Sequence, residues 1–170
     1  MPASLLDRLR ISTAELFHAE AIAAIYDYYA RETVVTFEEA GVPALEVRKR
    51  IEGVQAMSLP WLVAEHDGNI MGYAYAKPWK DRSAYRFAVE ISVYTARNCE
   101  RRGIGTKLYG QLFPLLQERG IHAVMGGIVL PNEASVSLHE RFGMTKVAHF
   151  REVGFKFDRW LDVGYWQRIF

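Results

Sequence analysis

The run YRFAVEISVYTARNCERRGIGTKLYGQLF, from Tyr85 to Phe113, constrains this chain more than any other. Its first part is dense in Val, Ile and Tyr, residues that favour an extended strand. Its last part has the look of a helix. Between them Gly103 and Gly105 admit backbone angles and close approaches that a Cβ forbids. The first turn of a helix also leaves N–H groups without partners, so a strand, a glycine bend and a helix together make a cradle for an anion. Arg101 and Arg102 add positive charge to it. For an isolated G-x-G the plain alternative is a tight turn before an ordinary helix.

The chain has 170 residues, half of them hydrophobic and 13% aromatic, enough to bury a full core as a single domain over residues 1–170. Net charge is +1 without a long run of one sign, so nothing in the overall charge argues for nucleic acid or an anionic membrane. The opening MPASLLDRLR lacks a sustained apolar run and no stretch approaches a membrane span, which predicts a cytoplasmic protein. Cys99 is the single cysteine, so neither an internal disulfide nor a thiolate metal cluster is expected. Arginines near Cys99 raise the idea of a reactive thiol, but no histidine is placed by sequence to activate it.

Along the chain, a short strand near Leu9 to Ile11 meets Ser12-x-x-Glu15, a capping-box pattern, and a helix with Leu16, Ala19, Ala23, Tyr26 and Ala30 on its apolar face. ALEVRKRIEGVQAM is a second helix that Pro60 ends. WLVAE and IMGYAYAK flank Asp67-Gly68, a hairpin signal. YRFAVEISVYTA is a long strand. GIGTKLYGQLFPLLQER is a helix in which Pro114 predicts a kink or an early end, since an interior proline costs about 3 kcal/mol. HAVMGGIVL is a strand, NEASVSLHERFG a helix ended by Gly143, and two strands near TKVAHFRE and WLDVGYWQRI close the chain. The alternation implies an α/β arrangement with some parallel pairing. A dinucleotide fold would want a third glycine where Leu108 stands and an acidic end to the next strand, where GGIVLPN has none.

PWLVAE, GYAYAKPWKDRSAYRFAVEISVY, RRGIGTKLY, LPNEASVSLHERFGM and GFKFDRWLDVGYWQ occur in that order between Ile11 and Gln167. With them the chain resembles the GCN5-related N-acetyltransferases (GNAT), and more narrowly their phosphinothricin and methionine sulfoximine acetyltransferase group. The resemblance implies a mixed, mostly antiparallel central sheet flanked by helices and splayed where acetyl-CoA enters. It also implies transfer of acetyl to the α-amino group of a small amino-acid-like substrate, without metal, and a homodimer. Another small amine, a protein N-terminus, or a CoA-binding module without turnover are the alternatives.

Amine acetylation needs an amine without its extra proton, because an ammonium has no lone pair. Glu90, a carboxylate inside an apolar strand, is the candidate base, and burial would raise its pKa toward the working pH. Its plain alternative is an ion pair with an arginine. By resemblance, Val93, Tyr94 and Thr95 pair with the pantetheine arm in the manner of an added strand. Arg101, Arg102, Gly103, Ile104, Gly105 and Thr106 then wrap the pyrophosphate. Asn132 bonds the same arm, and His139, seven residues on and about two turns away, stands near the sulfur, where it could protonate the thiolate. The other histidines carry no such context. Lys80 and Arg82 suit an acceptor's carboxylate, Tyr85 walls its pocket, Phe37 covers it, and Glu90 and Ser92 face it.

One residue departs from the resemblance: Glu100 stands where relatives usually carry Gln or Arg, and a carboxylate repels a pyrophosphate. Glu100→Gln is therefore expected to tighten CoA binding modestly at low salt, with the gain shrinking as salt rises. Calorimetric titration at two ionic strengths checks this, and weaker binding would give Glu100 a structural task instead.

Overall fold

A computed structural model describes residues 5–170; residues 1–4, the start of the opening MPASLLDRLR, lie outside the described residues. A single turn α1 (Leu5–Arg8) precedes β1 (Arg10–Thr13), α2 (Ala19–Glu32), α3 (Ala44–Ala56), β2 (Trp61–His66) and β3 (Asn69–Pro78). Then come β4 (Ala88–Thr95), α4 (Ile104–Glu118), β5 (Ala123–Leu130), α5 (Glu133–Arg141), β6 (Thr145–Lys156) and β7 (Arg159–Ile169). The strands form one sheet in the order β1-β2-β3-β4-β5-β7-β6. Every pairing is antiparallel except β4 with β5, which the α4 crossover joins. Among the described residues no helix is long and apolar enough to cross a membrane.

Period-two alternation divides the central strands between two cores. Leu62, Ala64, Ala74, Ala76, Val89 and Ile91 face Leu108, Tyr109, Leu112 and Leu116 of α4. Trp61, Val63 and Tyr73 face Ile22, Tyr26 and Tyr29 of α2 and Val47 and Ile51 of α3. Sheets covered on both faces read as continuous apolar runs, as WLVA does here. Alanines under α4 let the helix lie close. At Gly72 an added Cβ would come within 2.8 Å of the Tyr94 carbonyl and 3.1 Å of Ile104, so that helix start sits hard against the sheet.

Several local expectations hold and several shift. Asp67 and Gly68 both adopt positive φ, the geometry a two-residue hairpin demands. The capping box moves three residues on: Ser12 is held in β1 opposite Val63, and the Glu15 N–H instead donates to His18 Nδ1 at 2.9 Å. Leu16 consequently lies in a 3-10 turn ahead of α2. β4 begins at Ala88 rather than Tyr85, because Ser83–Tyr85 form a 3-10 turn closed by Tyr85 N–H to the Arg82 carbonyl. α3 stops at Ala56, ahead of Pro60. The two last strands are longer than expected and meet in a tight turn at Phe157 and Asp158, both with positive φ.

Pro114 does not end α4, which runs on to Glu118. Gly110, whose carbonyl loses its N–H partner, and Pro114 are both exposed, so water can take up that carbonyl. Gly110 also has nothing within 4 Å of an added Cβ. Gly110→Ala should therefore raise stability by about 0.5–1 kcal/mol. A higher urea midpoint at unchanged slope is the expected reading, and a lower one would contradict the open space around Gly110.

Candidate active site

The site begins where the sheet parts. β4 pairs with β3 from Val89 to Thr95 but with β5 only over Ala88, Val89 and Glu90, after which β5 continues alone beside β7 to Leu130. Beyond Glu90 one edge of β4 therefore lacks a strand. At its end the Tyr29 hydroxyl takes that place, donating to the Thr95 carbonyl at 2.8 Å and lying 3.4 Å from the Thr95 N–H. Strand alternation turns the main chain of Val93 to the same open edge and that of Tyr94 toward Tyr73 of β3. Of the three expected strand positions, Val93 thus offers free main-chain groups, Thr95 is partly occupied, and Tyr94 contributes its side chain. That ring packs edge-on against Tyr26 and Tyr29, with centroids 5.2 and 5.1 Å away, and burial pushes its hydroxyl pKa well up.

The start of α4 closes one end of the opening. Arg101 and Gly103 have positive φ, and Gly103 is the residue before the first helical turn. Its missing side chain leaves room for Leu6 of α1, which an added Cβ would approach to 3.0 Å. Gly105 has the same function against Leu138 of α5, also at 3.0 Å, and lies near Val93. Both glycines are thus close-packing points at the start of α4. The Ile104 side chain is core, so only its main chain, with those of Gly105 and Thr106, can meet an anion. Arg101, Arg102 and Glu100 are exposed beside them.

At the parting point Glu90 lies between two partners. Its Oε2 is 3.2 Å from Lys77 Nζ, and its Oε1 accepts a hydrogen bond from the Tyr165 hydroxyl at 3.5 Å. Glu90 is half-buried, and an ammonium lies against it. The partner is not the arginine of the plain alternative but the residue directly opposite on β3. Burial and the Glu90 charge together push the Tyr165 hydroxyl above its ordinary pKa.

A cleft of about 1280 Å³ opens over Glu90. Phe37, Lys80, Tyr85, Glu90 and Ser92 line it, as expected. Arg82 does not: it immediately precedes the turn at Ser83–Tyr85 and is exposed, outside the lining. Lys77 supplies the second cation in its stead, together with Lys80, whose ammonium sits 4.8 Å from the centroid of Trp79. Trp79 in turn packs edge-on against Tyr165 at 5.2 Å. Arg50, Tyr75, Trp79 and Tyr165 were not anticipated as lining residues. Only Lys77 carried a signal, its place opposite Glu90 once the hairpin register is drawn. Among the described residues no cluster of three metal-ligating side chains occurs.

His139 lies elsewhere. It is buried, its Nδ1–H donates to the Ser135 carbonyl at 2.7 Å, and its Nε2 accepts from the Tyr109 hydroxyl at 3.2 Å. An added Cβ on Gly126 of β5 would collide with its ring. Both nitrogens are committed, and His139 is not among the residues lining the cleft. Asn132 starts α5 and its Oδ1 accepts from the Ser135 N–H at 3.1 Å, which leaves its amide hydrogens for a ligand.

Residues 11–164 match the acetyltransferase (GNAT) domain family. The chain belongs to the GNAT acetyltransferases. It is 39% identical to the phosphinothricin N-acetyltransferase of Streptomyces viridochromogenes over 88% of this chain and 81% of that one. It is 32% identical to the L-methionine sulfoximine/L-methionine sulfone acetyltransferase of Salmonella typhimurium, covering 94% and 93%. Its backbone superposes with a TM-score of 0.92 on a GNAT superfamily phosphinothricin acetyltransferase from Sinorhizobium meliloti in complex with acetyl-CoA, 29% identical, over 95% of this chain and 88% of that one. The parted sheet and glycine-led helix are therefore those of an acyltransferase.

In this GNAT acetyltransferase the buried His139 gives a pH signature. Burial lowers its pKa, against the Ser135 bond, so the unfolded chain binds the proton more readily than the folded one. The associated stability is present above the unfolded value of about 6.5 and is lost as pH falls through the lowered folded one. His139→Gln should flatten the decline of the urea midpoint on acidification below neutrality. An acid limb as steep as in the wild type would show that His139 titrates alike in both states.

Proposed function

We propose that the chain, acting as one domain, transfers the acetyl group of acetyl-CoA to the α-amino group of a small amino acid or analogue. L-Phosphinothricin, methionine sulfoximine and methionine sulfone are the acceptors to test. The carrying observation is the place of Glu90, at the vertex where the open edge of β4 meets a cleft bearing Lys77 and Lys80. Val93, the first turn of α4, Arg101, Arg102 and the Asn132 amide would hold acetyl-CoA along the parted edge. The two lysines suit the carboxylate of the acceptor, leaving its amine toward Glu90.

Glu90 takes a proton from the ammonium, directly or through water. The freed nitrogen attacks the thioester carbonyl, the C–S bond breaks, the nitrogen gives up its second proton to solvent as the amide forms, and solvent protonates the thiolate, His139 having no uncommitted nitrogen. His139 acts instead by supporting β5 from beneath. The homodimer reading draws support from β6, an edge strand exposing Val147, Phe150, Val153 and Phe155.

Release of free thiol from acetyl-CoA on addition of each acceptor tests the reading. Thiol release with none of them would redirect it to another amine or to a binding module. Glu90→Gln should lower kcat/KM by about 10²–10⁴ near neutral pH. Part of the rate should return at alkaline pH, where more amine arrives already neutral. Near-wild-type rates across the pH range would remove Glu90 as the base and leave positioning as the source of rate.

A further inference from the structure

We propose that Lys156 is a positioning residue for the acceptor, fastening residues 33–39 as a fixed wall of the cleft; the inference rests on the acetyl-transfer reading above. Lys156 is 1% exposed, at the far end of β6. Its ammonium has three donors, and each meets a main-chain carbonyl: Ala30 at 2.6 Å, Thr36 at 2.8 Å and Glu38 at 2.8 Å. A buried ammonium usually faces a carboxylate, whereas this one is spent on backbone.

The three carbonyls explain the choice. Ala30 belongs to the last turn of α2, where carbonyls lack helical partners and a cation is favoured. Thr36 and Glu38 flank Phe37 in a segment, residues 33–43, that forms neither helix nor strand and so has no ladder of its own. Thr36, Phe37 and Glu38 all line the acceptor cleft. Lys156 therefore ties the free segment at two points, one on each side of the residue that covers the pocket.

Further ties converge on the same residues. The Phe37 ring lies over Gly154, two residues before Lys156, in space that a Cβ would fill. Tyr26 Oη bonds Thr36 Oγ1 at 2.7 Å, and Arg50 pairs with Glu38 at 3.0 Å. Lys156 joins α2, the segment and the sheet edge at once. None of these groups lies on the open edge of β4 or in the first turn of α4, so the anchor acts on the acceptor side of the site.

Lys156→Met keeps length and removes all three donors, while Gly154→Ala displaces Phe37 and leaves the ammonium in place. In folded protein either change should raise KM for L-phosphinothricin about tenfold or more, in line with the cost of a displaced wall. kcat at saturation and calorimetric acetyl-CoA affinity should stay near wild type. An unchanged KM in both variants overturns the proposal, and so does a loss shared equally by acetyl-CoA affinity. If Lys156→Met does not fold, Gly154→Ala decides by the same split. If the wild type acetylates none of the three amines, the substrate reading fails, and hydrogen exchange then decides the anchor. Faster exchange confined to residues 33–39 in the variants supports it; wild-type exchange there overturns it.

Discussion

Parallel strands that leave one another after three residue pairs give up the hydrogen bonds of every later pair, and in β4 and β5 this happens directly after Glu90 and Met125. Main-chain groups without partners are expensive to bury, so the opened edge must meet water, a side chain or a ligand. At Thr95 a tyrosine hydroxyl meets it. At Val93 no described strand pairs with that edge, and a ligand bearing amides is suited to that place. The remaining features follow from the parting: a carboxylate at its vertex, a helix start at its wide end, and a cleft over its mouth.

Holding the sheet open requires stiff surroundings on both faces. On one face Gly72 and Gly126 let Ile104 of α4 and the His139 ring approach the backbone of β3 and β5, and the Tyr109 to His139 to Ser135 chain gives both ring nitrogens a partner. On the other, Tyr26, Tyr29, Tyr73 and Tyr94 pack ring to ring beneath the open edge. Lys156 belongs to the same plan, since it binds an irregular wall of the cleft to two regular elements. The catalytic geometry is therefore a property of close packing, in which small residues are as necessary as functional ones.

Much of this was legible before any coordinates. The succession of strand, glycine bend and helix stands as read, the Asp67-Gly68 turn was read correctly, and Glu90, Phe37, Lys80, Tyr85 and Ser92 gather around one cleft. The misreadings share a cause. Arg82 and Lys77 are both cations near the pocket in sequence, but one stands exposed at the head of a 3-10 turn, outside the cleft lining, while strand register sets the other against Glu90. His139 had suitable spacing from Asn132, yet helical spacing specifies a face and not what that face touches. Ser12 matched a capping pattern and was claimed by strand pairing.

By itself the sequence determined the periodicities, and with them the order and kind of the elements, the side of each strand that is buried, and the glycines at which backbones draw together. These depend on residues near one another in the chain, whose steric and hydrophobic preferences act locally. Only the tertiary structure decided which edge of β4 stays open, which cation meets Glu90, and that a lysine at position 156 binds carbonyls at positions 30, 36 and 38. Those outcomes join residues far apart in the chain, and the hydrogen bonds and packing that select them exist only once the two faces of the sheet are covered.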